Sequence, residues 1–156
     1  MPAPPSLNEE ELLQSGFRYA YALTHHHHDA EDLVQTAWLK LHQRYSEVKT
    51  KALFFTTIRN LYIDQYRRRK RVRFITLTSE HESLSASAAA TGEDTKVAID
   101  QMLSKLRDIE REALFLHIVE GYSANEIATL TGRPRGTVLS LIHRSRKKLT
   151  ALNTVD

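Results

Sequence analysis

Ser123-Ala124-Asn125-Glu126-Ile127-Ala128-Thr129-Leu130-Thr131-Gly132-Arg133-Pro134-Arg135-Gly136-Thr137-Val138 is the stretch that decides the fold. Ser123 and Glu126 stand in capping-box spacing, where each side chain takes the backbone N–H of the other residue. A short helix containing Ile127, Ala128 and Leu130 should follow. Gly132 suits its C-terminal stop, because glycine enters the left-handed region without strain. Pro134 and Gly136 fall in the next turn, and a last helix should run to about Leu149. Val138, Leu141, Ile142, Ser145 and Leu149 share one side of it, at helical spacing. Two helices joined by a tight glycine-containing turn, the second amphipathic and basic, form a helix-turn-helix, whose second helix enters the major groove.

The outward face supports a polyanionic partner. Ser140, His143, Arg144 and Lys147 project away from the apolar stripe, and Arg133 and Arg135 lie at the helix start, where unpaired N–H groups also attract phosphate. Six bases and no acid occupy positions 133–148. A second run, Arg67, Arg68, Arg69, Lys70, Arg71 and Arg73, places six bases in seven residues. The net charge is only +3, so the rest of the chain is acidic around two basic patches. Such patches attract nucleic acid by Coulomb forces and counterion release. Solvated helix ends would explain one patch; two acid-free patches favour nucleic acid.

Upstream the pattern is helical throughout. Asn8 can cap a first helix with Glu11 in capping-box position, and Leu12, Leu13, Phe17, Tyr21 and Leu23 form its apolar face. Asp29 can cap a second helix to about Tyr45, with Leu33, Val34, Ala37, Trp38 and Leu41 inside. A third begins near Thr50 and passes through Phe54, Ile58 and Leu61 into the basic run. Small residues dominate from about Arg73 to Asp94, which reads as a flexible linker. Helical pattern resumes at Val97, and Asp108 can cap a helix that stops at Gly121. Five glycines, four prolines and 41% hydrophobic residues fit an all-α fold with a packed core. With no cysteine, disulfides and thiolate metal sites are excluded. No run is long and apolar enough to span a membrane and no signal-peptide core is present, so a cytoplasmic location is expected.

Asp29-Ala30-Glu31-Asp32-Leu33-Val34-Gln35 is similar to the signature opening the polymerase-binding helix of extracytoplasmic-function (ECF) sigma factors. Arg59-Asn60-Leu61-Tyr62-Ile63-Asp64, followed by Arg67–Arg71, resembles that family's promoter-reading helix. Glu120–Ala128 and Gly136–Ser140 resemble its C-terminal helix-turn-helix. The resemblance spans about positions 8–73 and 96–150, in the family's order.

It implies two small helical domains: a sigma domain 2 three-helix bundle at 7–73 and a sigma domain 4 helix-turn-helix at 96–152, joined by a linker at 74–95. It implies a transcription initiation factor that binds core RNA polymerase, on the clamp helices of the largest subunit and the flap of the second. Asp29, Glu31, Asp32, Gln35 and Leu39 would make the clamp contact. Tyr45, Ser46, Lys49, Lys51, Arg59, Asn60 and Arg67, Arg68, Arg69, Lys70 and Arg71 would meet the minus-ten element and aid its opening. Arg133, Arg135, Thr137, Leu139, Ser140, His143, Arg144, Lys147 and Lys148 would meet the minus-thirty-five element. Promoter DNA and an anti-sigma factor are the other partners it suggests. Thr36, Leu53 and Thr56 depart from residues common in the family. Tyr45, Phe55, Tyr62 and Tyr66 are aromatic candidates for an opened strand, each equally at home in a core.

Two other readings remain open. One is a DNA-binding regulator using only the helix-turn-helix, with the N-terminal helices for dimerisation or sensing. The other is a DNA-processing enzyme, but no nucleophile lies beside a base and no carboxylate cluster suits paired metals. No catalytic residue, cofactor or metal ligand is therefore expected. The run His25–His28 reads as a tag remnant, a polar turn or a chance run before it reads as a metal site or a pH sensor.

Overall fold

The computed structural model describes residues 8–45, 50–75 and 94–153, and these are helical with no strand among them. The order is α1 (Glu9–Thr24), α2 (His27–Arg44), α3 (Lys51–Ile75), α4 (Asp94–Ser104), α5 (Asp108–Leu114), a π-helical turn (Phe115–Val119), α6 (Ala124–Thr131) and α7 (Arg135–Asn153). The helices form two groups, α1–α3 and α4–α7. The expected linker, 74–95, includes the last two residues of α3 and the first two of α4; its remainder, 76–93, lies outside the described residues, as does the flexibility expected of it.

Helix starts follow capping chemistry. The Asn8 side chain accepts from Glu10 N–H at 2.9 Å and from Glu11 N–H at 3.4 Å. Thr50 Oγ1 accepts from Leu53 N–H at 3.1 Å. α2 begins two residues before Asp29. The ring nitrogen of His26 accepts from Asp29 N–H at 3.3 Å, and Asp29 sits in the first turn, where the helix dipole favours a carboxylate. α5 also starts one residue early: Asp108 is its first residue rather than its cap, and Glu110 reaches back to Arg107 N–H at 2.9 Å. Glu120 N–H donates to Phe115 carbonyl at 3.2 Å, closing the wide turn that follows α5. That turn leaves Ile118 and Val119 more than half exposed.

The first group packs three helices around Leu33, Ala37, Phe54 and Ile58, all fully buried. α1 and α3 approach closely at Gly16, where a β-carbon would lie 2.4 Å from the Phe54 ring. The second group buries Leu116, Ile127, Val138 and Leu141. The two groups also pack on each other, and their apolar residues form a single cluster. Tyr19 of α1 links them: its ring lies 4.6 Å from that of Phe55 and 6.0 Å from that of Phe115. Aromatic burial of this kind stabilises by a few kcal/mol per ring.

Candidate nucleic-acid interface

In the C-terminal group the capping box closes as spaced: Ser123 Oγ accepts from Glu126 N–H at 3.1 Å, and Glu126 accepts from Ser123 N–H at 2.9 Å. Gly132 ends α6 at φ +72°. Gly136 lies inside the first turn of α7 rather than in the loop, since α7 starts at Arg135. Val138, Leu141, Ile142 and Ser145 are buried. The Ser145 hydroxyl bonds the Leu141 carbonyl at 2.6 Å, which satisfies the one polar side chain on that stripe.

Seven of the nine minus-thirty-five candidates lie exposed on α7: Arg135, Thr137, Leu139, Ser140, His143, Arg144 and Lys147. This face carries no acid, and Leu139 is 43% exposed on it. The other two are engaged within the chain. Arg133 binds Glu112 Oε1 at 2.9 Å, and Lys148 binds Glu110 Oε1 at 2.7 Å. Burial raises the Glu110 pKa, but the Lys148 hydrogen bond, the Arg107 N–H and both charges outweigh it, so the carboxyl lies below its ordinary value.

The minus-ten candidates divide as well. Arg67, Arg68, Arg69, Lys70 and Arg71 are exposed along α3, with Arg69 3.6 Å from Asp29 and Lys70 over the Tyr66 ring. Asn60 is exposed, as is Tyr45 at the end of α2. Arg59 is nearly buried, its Nε 2.8 Å from Glu112 Oε2, and Lys51 Nζ lies 2.9 Å from Glu120 Oε1. Ser46 and Lys49 lie outside the described residues. Of the aromatic candidates, Phe55 is core, Tyr66 is exposed, and Tyr62 donates to Asp108 Oδ2 at 2.6 Å. Burial, then that hydrogen bond, pushes the Tyr62 pKa upward, so the phenol stays a donor. Arg59, Tyr62, Tyr66, Arg67, Lys70 and Arg133 line a cleft of about 630 Å³ between the two groups. A cationic wall with tyrosines on it has the composition for holding single-stranded nucleic acid.

On α2, Glu31, Asp32, Gln35 and Leu39 are exposed, Leu39 by 62%. Asp29, partly buried at the start of this face, completes an acidic strip around one bare leucine. Trp38 faces inward, edge-on to Phe54. The histidine run is taken up by neighbours: His25 reaches Asp100 of α4, His26 caps α2, and His27 and His28 lie near Glu31 and Asp32.

Three buried charged residues of α5 were not among the sequence candidates: Glu110, Arg111 and Glu112 are 1%, 5% and 2% exposed. Arg111 donates to the carbonyls of Ala22 at 2.8 Å and Leu106 at 3.0 Å, and to Asp108 at 2.9 Å. Three consecutive charged residues leading into Ala113-Leu114 on a short helix were the available signal, since one turn of helix cannot expose all of them.

The Sigma-70 region 2 family profile matches residues 10–72, and that of Sigma-70, region 4 matches residues 96–149. The ECF RNA polymerase sigma factor EcfG of Rhodopseudomonas palustris (strain TIE-1) is 31% identical, across 100% of this chain and 90% of that protein. The ECF RNA polymerase sigma factor SigE of Mycolicibacterium smegmatis is 31% identical over 85% of this chain, which spans only 55% of that relative's length. The co-crystal structure of the sigma factor RpoE in complex with the anti-sigma factor NepR from Bartonella quintana matches with a TM-score of 0.73 and 30% identity, over 94% of both chains. With region 2 and region 4 in this order, and with relatives matching along its length, the chain belongs to the ECF sigma factors of RNA polymerase.

Proposed function

We propose that this chain is a transcription initiation subunit without catalytic activity of its own. It binds core RNA polymerase, carries it to promoters and aids opening at the minus-ten element. The observation that supports this most is the pairing, in one chain, of an acid-free recognition helix with a cationic, tyrosine-bearing α3. One suits duplex DNA and the other an opened strand. In this reading Ser140, His143 and Arg144 meet base edges, Arg135 and Lys147 meet phosphates, and the α2 face from Asp29 to Leu39 docks on the polymerase clamp. The C-terminal group meets the flap. A regulator working through the helix-turn-helix alone leaves the α2 face and the basic run of α3 without a purpose.

No helix among the described residues is long and apolar enough to cross a membrane, which fits work on cytoplasmic DNA. An anti-sigma factor, the partner of the Bartonella protein, is the class of inhibitor expected here. An apolar groove of about 660 Å³ lined by Phe17, Tyr21, Leu114, Phe115, Ile118 and Leu149 offers it a seat. The deciding experiment is transcription in vitro from the protein's own promoter. Transcripts should require both this chain and core polymerase. Promoter-specific DNA binding with no polymerase-dependent transcript would favour the regulator instead.

A further inference from the structure

Leu139 is a large apolar side chain on a polar, cationic strip. It lies one turn into α7, four residues after Arg135, and is 43% exposed. The apolar cluster that takes up Val138, Leu141 and Ile142 does not include it. Nor does it line the apolar groove that holds Phe17 and Leu149. At about 100° per residue, Leu139 and Arg144 stand on the two edges of the outward strip of α7, with Ser140, His143 and Lys147 between them. All of these are exposed, and no acid interrupts positions 135–148. Gly136 lies on the same strip one turn earlier, and a β-carbon there would meet no atom within 4 Å. With no side chain at Gly136, the helix stands low at the end where a recognition helix approaches base edges.

A protein docking site centred on Leu139 would need apolar neighbours, because the cores of interfaces are apolar and depleted of charge. Its neighbours on this strip are cations and hydrogen-bonding groups, which suit nucleic acid. Against a duplex, an aliphatic side chain has one complement. Thymine alone among the bases presents a methyl group in the major groove. Leu139 and Arg144 are five positions apart, about 7.5 Å along the helix at about 1.5 Å per residue. Base pairs repeat at about 3.4 Å, so the two side chains address different pairs.

Resting on the promoter-binding reading above, we propose that Leu139 is a specificity-determining residue that packs on the C5-methyl of a thymine in the minus-thirty-five element. The two edges of α7 then read different chemistry. Arg144 answers a hydrogen-bonding base edge, and Leu139 answers an apolar one.

The test uses the chain assembled with core polymerase on its own promoter. Each thymine of the minus-thirty-five element, on either strand, is replaced in turn by deoxyuridine, which lacks the methyl and keeps every hydrogen-bonding group. Competition against a fluorescent promoter fragment at fixed salt measures affinity. At one thymine the wild-type assembly should lose about fourfold, which is what burying one methylene-sized group contributes. Leu139→Ala should lose at least as much on the natural promoter and be indifferent to that same replacement. Leu139→Met, apolar and of similar volume, should keep the discrimination. No effect of deoxyuridine at any position on the wild-type chain would overturn the proposal. That arm alters only the DNA, so it stands whatever the variants do. Leu139→Ala that kept the full deoxyuridine loss would overturn it as well. So would Leu139→Ala that bound core polymerase more weakly in the absence of DNA, since Leu139 would then touch protein. Failure of the promoter reading shows separately, as transcription that does not require this chain before any base is altered, and would remove both.

Discussion

Lys148 of the last helix lies 2.7 Å from Glu110, a carboxylate with 1% of its surface exposed, and so is fastened inward by a residue 38 positions earlier. The pair ties the end of α7 to the start of α5. It also makes Lys148 a weaker candidate for DNA than its neighbour Lys147, which is exposed.

The pH dependence of that pair has a definite sign. The Glu110 carboxyl is held below its ordinary value, so it contributes stability that is fully present above the ordinary glutamate pKa. That contribution is lost as pH falls through the lower, folded value. Glu110→Gln should therefore destabilise by about 1–3 kcal/mol at pH 7 and by much less near pH 3. Urea unfolding at both pH values checks this; an equal loss at both would mean that charge is not what matters at Glu110.

Gly16 tests the packing of α1 on α3. A β-carbon there would overlap the Phe54 ring, itself fully buried, so neither partner has room to yield. Gly16→Ala should lower stability by about 1–3 kcal/mol, although alanine favours helix by about 1 kcal/mol in the open. A thermal melt at or above the wild-type midpoint would show that the helices separate more easily than the distances imply.

Base reading by α7 is expected to reside in Arg144. An arginine bidentate to guanine discriminates by about 1–3 kcal/mol, whereas a phosphate contact steepens salt dependence without discriminating. Arg144→Ala should relax preference at one or two promoter positions, and Lys147→Ala should weaken all sequences alike and flatten the salt slope. Binding curves on single-base promoter variants at several salt concentrations separate the two. An even loss across variants for Arg144→Ala would move it to the phosphate group.

The α2 face makes the prediction for polymerase. Asp32, Gln35 and Leu39 are exposed and carry no part of the core, so Asp32→Ala with Gln35→Ala should leave helical content intact while weakening core binding about tenfold or more. Equilibrium binding to core enzyme measures it, and unchanged affinity would remove this face from the interface.

What could be read from the residues, and what could not, divides by sequence separation. The Ser123–Glu126 box, the stop at Gly132 and the Val138–Leu141–Ile142–Ser145 stripe are local, and all three stand where spacing placed them. The α2 stripe was equally legible, since Leu33, Ala37 and Leu41 repeat at helical intervals. The start of α2 was misplaced because a histidine ring nitrogen, not Asp29, makes the cap. The contact between the two groups was invisible for a different reason. Tyr19 and Glu112 are 93 residues apart, and neither belongs to a periodic pattern that would announce a partner. Tyr19 was passed over in α1 for Phe17 and Tyr21, which are less buried. Arg59 and Arg133 were recognised as cations, but spacing says nothing about which anion finds them first.

Arg111 carries a practical warning for anyone dividing this protein. Its planar guanidinium ties off the last carbonyls of α1 while its own helix belongs to the other half. A fragment ending at Ile75 would lose those donors together with the cover over Tyr19 and Phe55. It would present frayed backbone beside a bare aromatic wall, and poor solubility or self-association in such a fragment would reflect the cut rather than the protein.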